Sequence, residues 1–177
     1  MTANKSKFDG SELPSIEKRI EDGFVFECSS KIQIANAGGV GKWLLRTGKS
    51  RVVIHARQIT SNGNELDYQA FGGVTVTSEG TPVQVVNRNS KDAQKTGVKV
   101  FHTPTVSGGQ GVPPVYLPGS SGVGQIAVGQ FNQDSFVRIL EANTDYIAQI
   151  TNNGDINPAN AELYIMWSEI AEPTPAG

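Results

Sequence analysis

The sequence predicts an all-β protein, two sheets packed as a sandwich or one sheet closed into a barrel, and three observations lead there. Strand-like apolar runs recur from residue 24 to residue 170, and dipeptides such as Asn62-Gly63, Gly72-Gly73 and Asn153-Gly154 punctuate them with the positive φ of tight turns. Within the runs apolar positions alternate, as in Val52, Ile54 and Ala56 or Tyr146, Ala148 and Ile150, which is the period of a half-buried strand. Glycine supplies 20 of the 177 residues, about 11% against an average near 7%, with no collagen-like period. So many turns disfavour a helical bundle.

The first 22 residues differ from the rest. They are polar and charged, include Pro14, and carry four scattered apolar residues: Phe8, Leu13, Ile16 and Ile20. Ser15 is placed to cap one short helix over 16–22, closed by Gly23, which pairs Ile16 with Ile20 at i,i+4. The segment otherwise reads as an extended arm. Its apolar stripe has no place in a sandwich core, so Phe8, Leu13, Ile16 and Ile20 are the candidate contacts of an arm that orders on a partner. Strands are expected over 24–34, 42–47, 51–60, 65–71, 82–87, 97–102, 125–131, 136–140, 146–152 and 162–170. The last holds Leu163-Tyr164-Ile165-Met166-Trp167, apolar on both faces as a central strand would be. The domain plan is an arm over 1–22, a sandwich over 23–171 and a flexible tail over 172–177.

Two further features stand out. Phe71-Gly72-Gly73-Val74-Thr75-Val76-Thr77 recurs in outline about 30 residues later as Phe101-His102-Thr103-Pro104-Thr105-Val106-Ser107, which predicts two equivalent corners of one sandwich. Residues 103–124 hold four prolines and six glycines, too long a stretch for an ordinary connection and restricted enough for a defined contact loop. Val112, Pro113, Pro114, Tyr116 and Leu117 are its candidate partner-binding residues.

Charge and composition exclude several classes. Fifteen Lys+Arg against 17 Asp+Glu give a net charge of −2, which argues against nucleic-acid binding driven by bulk positive charge. No run approaches the roughly 18 apolar residues of a membrane span. Cys28 is the sole cysteine, so an intrachain disulfide and a four-cysteine zinc site are excluded. It reads as a buried, inert thiol. The polar N-terminus leads to no apolar signal core, and synthesis and folding in a reducing cytoplasm are expected.

Chemical motifs fail on context. Gly48-Lys49-Ser50 looks like the tail of a phosphate-binding loop, but the earlier glycine is replaced by Trp43, so a hairpin turn is expected. Gly122-Val123-Gly124 lacks the strand-turn-helix setting of a dinucleotide site. His55 and His102 each stand alone within a strand pattern, with no ligand-spaced partner. Asp155-Ile156-Asn157 begins like a calcium loop, but Met166 falls where the bidentate glutamate belongs. A Ser–His–Asp set assembled by the fold stays open, since such sets are recognised by geometry. Trp43, Trp167, Tyr68, Tyr146 and Tyr164 sit in strand patterns and fill the core, and Tyr116 alone lies in a loop. No catalytic residue, metal or cofactor is expected.

The order of segments carries one resemblance. Lys42-Trp43-Leu44-Leu45-Arg46-Thr47-Gly48, then the run 52–59, then Val74-Thr75-Val76-Thr77-Ser78-Glu79-Gly80-Thr81-Pro82-Val83 leading to Asn87-Arg88-Asn89-Ser90 resembles the head decoration, or cement, proteins of tailed bacteriophages. Thr103-Pro104-Thr105-Val106, Ile139-Leu140-Glu141-Ala142-Asn143-Thr144-Asp145-Tyr146, Ile150-Thr151-Asn152 and the closing Trp167 fit the same order. The likeness covers roughly 40–168 and rests on turn and strand signals. The charged N-terminal segment and the Pro/Gly-rich stretch at 107–124 depart from it. It implies a jelly-roll-like antiparallel β-sandwich of about eight to ten strands. It also implies a non-enzymatic virion protein on the capsid surface, made in the host cytoplasm, with the major capsid protein as partner and a homo-oligomer, dimer or trimer, as its state. Neither nucleic acid nor membrane is an expected partner. The alternatives are a carbohydrate- or receptor-binding sandwich of a phage tail or fibre, with Tyr116 facing the ligand, and an esterase-like jelly roll.

Overall fold

Alternation along the strands becomes two facing antiparallel sheets. A computed structural model describes residues 15–61, 64–91, 94–118, 127–130, 138–155 and 158–170. One helix, α1 (Ile16–Glu21), precedes the strands. The long ones are β1 (Val25–Ile34), β2 (Val40–Arg46), β3 (Arg51–Ser61), β4 (Leu66–Gly72), β14 (Asp145–Asn152) and β15 (Ala159–Ile170). Between β4 and β14 lie short strands: β5 (Thr75–Ser78), β6 (Thr81–Pro82), β7 (Val86–Asn87), β8 (Lys99–His102), β9 (Thr105–Ser107), β10 (Gln110–Gly111), β11 (Val115–Leu117), β12 (Ala127–Gln130) and β13 (Arg138–Leu140).

The first sheet runs β12-β3-β15-β1-β7, with β13 also on β3; the second runs β10-β4-β14-β2-β8-β6, with β11 also on β4. Counting β10 with β11 and β12 with β13 as single interrupted strands, and setting aside the short strands β5 to β9, leaves a frame of eight. Its first sheet has the order first, eighth, third, sixth, and its second has second, seventh, fourth, fifth. That is the winding of a jelly roll, and the open sandwich replaces the barrel alternative.

Inward-facing residues fill the space between the sheets in two adjoining clusters. Trp43, Ile59, Leu66, Ile150 and Leu163 centre one, and Phe26, Val52, Leu140 and Trp167 the other. The Phe26 and Trp167 rings lie 6.1 Å apart, tilted by 31°. Both tryptophans are fully buried, as the strand pattern predicted. Cys28 is buried as well, and burial, with Glu27 beside it, pushes its thiol up to about 12.

A register shift interrupts the pairing of β15 with β3: Met166 faces Ala56, but Trp167 faces Ile54. The extra residue, His55, re-aims the strand, the usual consequence of a bulge. Ile54 and Ile59 still join the core, and Arg57 comes to lie 4.5 Å over the Tyr68 ring and donates to its hydroxyl at 2.7 Å.

The stretch between β4 and β11 departs from expectation three times. The single strand expected over 82–87 is two fragments in different sheets, because β6 pairs with β8 and β7 with β1. The chain there crosses the open edge of the sandwich, and Val83 and Val85 pack under the crossing. The two look-alike segments are not separate corners; their strands β5 and β9 pair with each other, Val76 facing Val106. The expected loop at 103–118 contains β9, β10 and β11, while 119–124 lies outside the described residues. Pro113-Pro114 interrupts an edge strand instead of abolishing it, since one side of an edge strand needs no donors.

Candidate functional site

The two groups of predicted contact residues end up in different settings. In the arm, Phe8 and Leu13 lie outside the described residues. Ile16 and Ile20 are half-buried on α1, which begins as predicted: Ser15 caps it and accepts from the Lys18 amide at 3.3 Å. Gly23 adopts φ +76°, its amide reaching the Ile20 carbonyl and the Phe24 amide the Arg19 carbonyl. This paired closure turns the chain directly into β1.

In the loop, Val112 and Leu117 face inward and Pro113, Pro114 and Tyr116 face out. Val112 packs on the core, its amide donating to Ala70 and its carbonyl accepting from the Gln69 side chain, both at 2.9 Å. Leu117 is buried opposite Leu66. Tyr116 lies on β11, not in a loop, and is 55% exposed; Val115 beside it is also exposed. The result is a short apolar strip with its two ends nailed to β4.

Sequence reasoning missed a polar cluster under α1. Arg19 is only 6% exposed, and its Nη1 donates to the Ser168 hydroxyl at 2.7 Å. The same hydroxyl lies 2.8 Å from His55 Nε2. With Arg19 donating, the serine hydrogen is free to point at His55 Nε2, which makes the neutral imidazole the acceptor. Burial, and then the Arg19 guanidinium, hold His55 below its ordinary value. Ser168 is completely buried under Arg19, so this serine–histidine pair offers no accessible nucleophile. One weak signal existed: Arg19 sits three residues after Ile16, on the face the apolar stripe occupies.

Two other networks hold the ends of the sandwich. At one, the Asn152 side chain accepts from Asn64 Nδ2 at 2.8 Å and from the Gly154 amide at 3.1 Å and donates to the Asn36 carbonyl at 3.3 Å, tying three turns together. At the other, Arg46 grips both oxygens of Asp145, at 2.7 and 3.1 Å, and also pairs with Glu79. Thr47 there accepts from the Thr144 amide at 2.8 Å, which places Gly48-Lys49-Ser50 in the expected turn between β2 and β3.

The outer face of the second sheet carries a cavity of about 190 Å³ between β5–β9 and the sheet; Lys42, Phe71, Val106 and Ile147 are among its lining residues. Small-molecule sites usually run from roughly 300 Å³ upward, so this is a packing gap under the ribbon. Among the described residues, no group of three or more His, Cys, Asp or Glu could hold a metal, and no helix is long and apolar enough to cross a membrane.

No protein-family model matches the chain, and neither does any curated protein. Among solved structures, the infectious bursal disease virus VP2 subviral particle is 13% identical over 85% of this chain and 42% of its own, at a TM-score of 0.17. The T13 IBDV viral particle is 7% identical over 85% and 40%, also at 0.17. The chain therefore spans about two fifths of the length of those two chains. The fold assignment rests on the strand order alone.

Proposed function

We propose that this protein is a non-enzymatic virion component that decorates and stabilises the outer surface of a bacteriophage capsid, binding the major capsid protein as a homo-oligomer. The observation that carries the reading is the jelly-roll winding, an architecture shared by viral capsid and lectin domains, in a chain whose segment order resembles the cement proteins. Fold alone does not fix function, so the resemblance is needed beside it. The contact surface consistent with this role is the strip Pro113, Pro114, Val115 and Tyr116, exposed yet anchored at both ends by Val112 and Leu117. Many identical capsid sites turn moderate affinity per contact into firm retention when subunits bind as symmetric oligomers.

Quantitative mass spectrometry of purified particles tests the role. A copy number within a few-fold of the shell protein supports decoration. A handful of copies per particle supports the second reading, a receptor- or carbohydrate-binding module, which the outward-facing Tyr116 favours. Absence from every particle refutes both.

A further inference from the structure

We infer that Arg19, Ser168 and His55 form a proton-released latch, which docks α1 on the outer face of the first sheet when His55 is neutral and frees it when His55 is charged. The geometry sets the logic. One buried hydroxyl serves two basic groups, accepting from Arg19 at 2.7 Å and facing His55 Nε2 at 2.8 Å. This arrangement is satisfied only while the imidazole accepts. A proton on Nε2 makes both neighbours donors, leaves the serine hydrogen without an acceptor, and sets two cations about one oxygen in a partly buried site.

Among the described residues, no neighbour of His55 offers the new charge a carboxylate. From α1 comes Arg19; Lys18, next to it, is taken by Asp22 at 2.8 Å. From β15 come Ser168 and Met166, and from β1 comes Val25, in register with Ser168. The carboxylate that β1 carries on this face, Glu27, is engaged by Arg88 at 3.1 Å and by the Tyr164 hydroxyl at 2.7 Å.

The far end of the helix is held by bonds that do not titrate. Asn89 Nδ2 donates to the Glu21 carbonyl at 2.7 Å, and Asn87 Nδ2 to the Gly23 carbonyl at 2.8 Å. Release therefore swings the helix about its Gly23 end. The latch makes the docking of α1 on the first sheet depend on pH.

The test is pulsed hydrogen exchange on the full chain from about pH 7.5 to about pH 5, across the ordinary histidine range, corrected for intrinsic rates. Peptides covering α1 should lose protection on the order of tenfold, near the low end of the ~5- to 150-fold range usual for coupled sites, while β14 amides stay protected. The same scan on His55→Asn, which keeps a polar side chain but takes up no proton, should show no such step. A pH-independent α1 in the wild type overturns the latch, and so does a step that survives in His55→Asn. Parallel loss in α1 and β14 also overturns it, because the event is then global unfolding. If His55→Asn fails to fold, proton NMR of the wild-type His55 ring decides: its titration must coincide with the α1 step.

Discussion

The two outer faces of the sandwich are both covered, but by opposite chemistry. On the second sheet Leu44, Phe101 and Ile147 form a buried apolar patch, and the β5–β9 ribbon lays Val74, Val76 and Val106 over it. On the first sheet the cover is α1, and its deepest side chain is not an aliphatic but Arg19, seated on Ser168. Apolar burial is non-directional and indifferent to pH. A hydrogen bond to a buried charge is directional and tied to the protonation of its neighbours. The ribbon is thus a permanent third layer, and the helix a conditional one.

The sharpest way to break that comparison is to hollow out the apolar side. Ile147 is 2% exposed at the centre of the ribbon's footprint, on a strand paired on both sides. Ile147→Ala should cost about 2–5 kcal/mol by the usual deletion scale. Urea unfolding should show this loss equally at neutral and mildly acidic pH.

The polar side should respond more weakly and unequally. Ser168→Ala removes the acceptor from a guanidinium whose Nε already has no partner, and should cost about 1.5–3 kcal/mol at neutral pH. The loss should shrink on acidification, because the wild type loses the same contact there. The sign follows from linkage. His55 is held below its ordinary value by burial and by Arg19, so the unfolded chain takes up its proton at a higher pH than the folded one. Its stabilising effect is complete above the ordinary histidine range, near ~6.5, and is lost as pH falls from there through the folded value. Denaturation midpoints for wild type and His55→Asn measured through that window should converge in slope only if another group is responsible.

How much of this was legible in sequence follows the same division. Period-two alternation located both sheets, because each core strand has one face in the interior and the pattern records it directly. Ser15 and Gly23 marked the helix for an equally local reason. The β5–β9 pairing is half visible: Thr75-Val76-Thr77 recurs as Thr105-Val106-Ser107, but nothing local says that two similar edges will pair with each other. The Arg19 latch was not visible. Its three residues come from α1, β3 and β15, and the one that matters most, His55, faces Ser168 only because a bulge occupies the strand at that point. An arginine between two isoleucines on a short helix otherwise reads as a solvated face. The strip around Tyr116 falls in between: its composition flagged a contact region, but the prolines concealed that β4 holds it as an edge strand.

A smaller prediction sharpens how the ribbon is hung. Gly73 and Gly80 flank β5, and both adopt positive φ, +67° and +83°. A side chain at Gly73 meets nothing within 4 Å, whereas a Cβ at Gly80 would run into the His102 carbonyl oxygen and the backbone of Thr103. Gly73→Ala should therefore cost only the left-handed backbone penalty, about 1–2 kcal/mol. Gly80→Ala should exceed it, because the chain on both sides of the contact must move. Thermal unfolding of the two variants measures the difference, and hydrogen exchange locates it. Excess exchange in Gly80→Ala confined to β5, β6, β8 and β9 means the ribbon can loosen while the jelly roll stands. Excess exchange that reaches β14 means the apolar cover and the sheet beneath it are one cooperative unit, and the asymmetry between the two faces is then one of cooperativity as well as of chemistry.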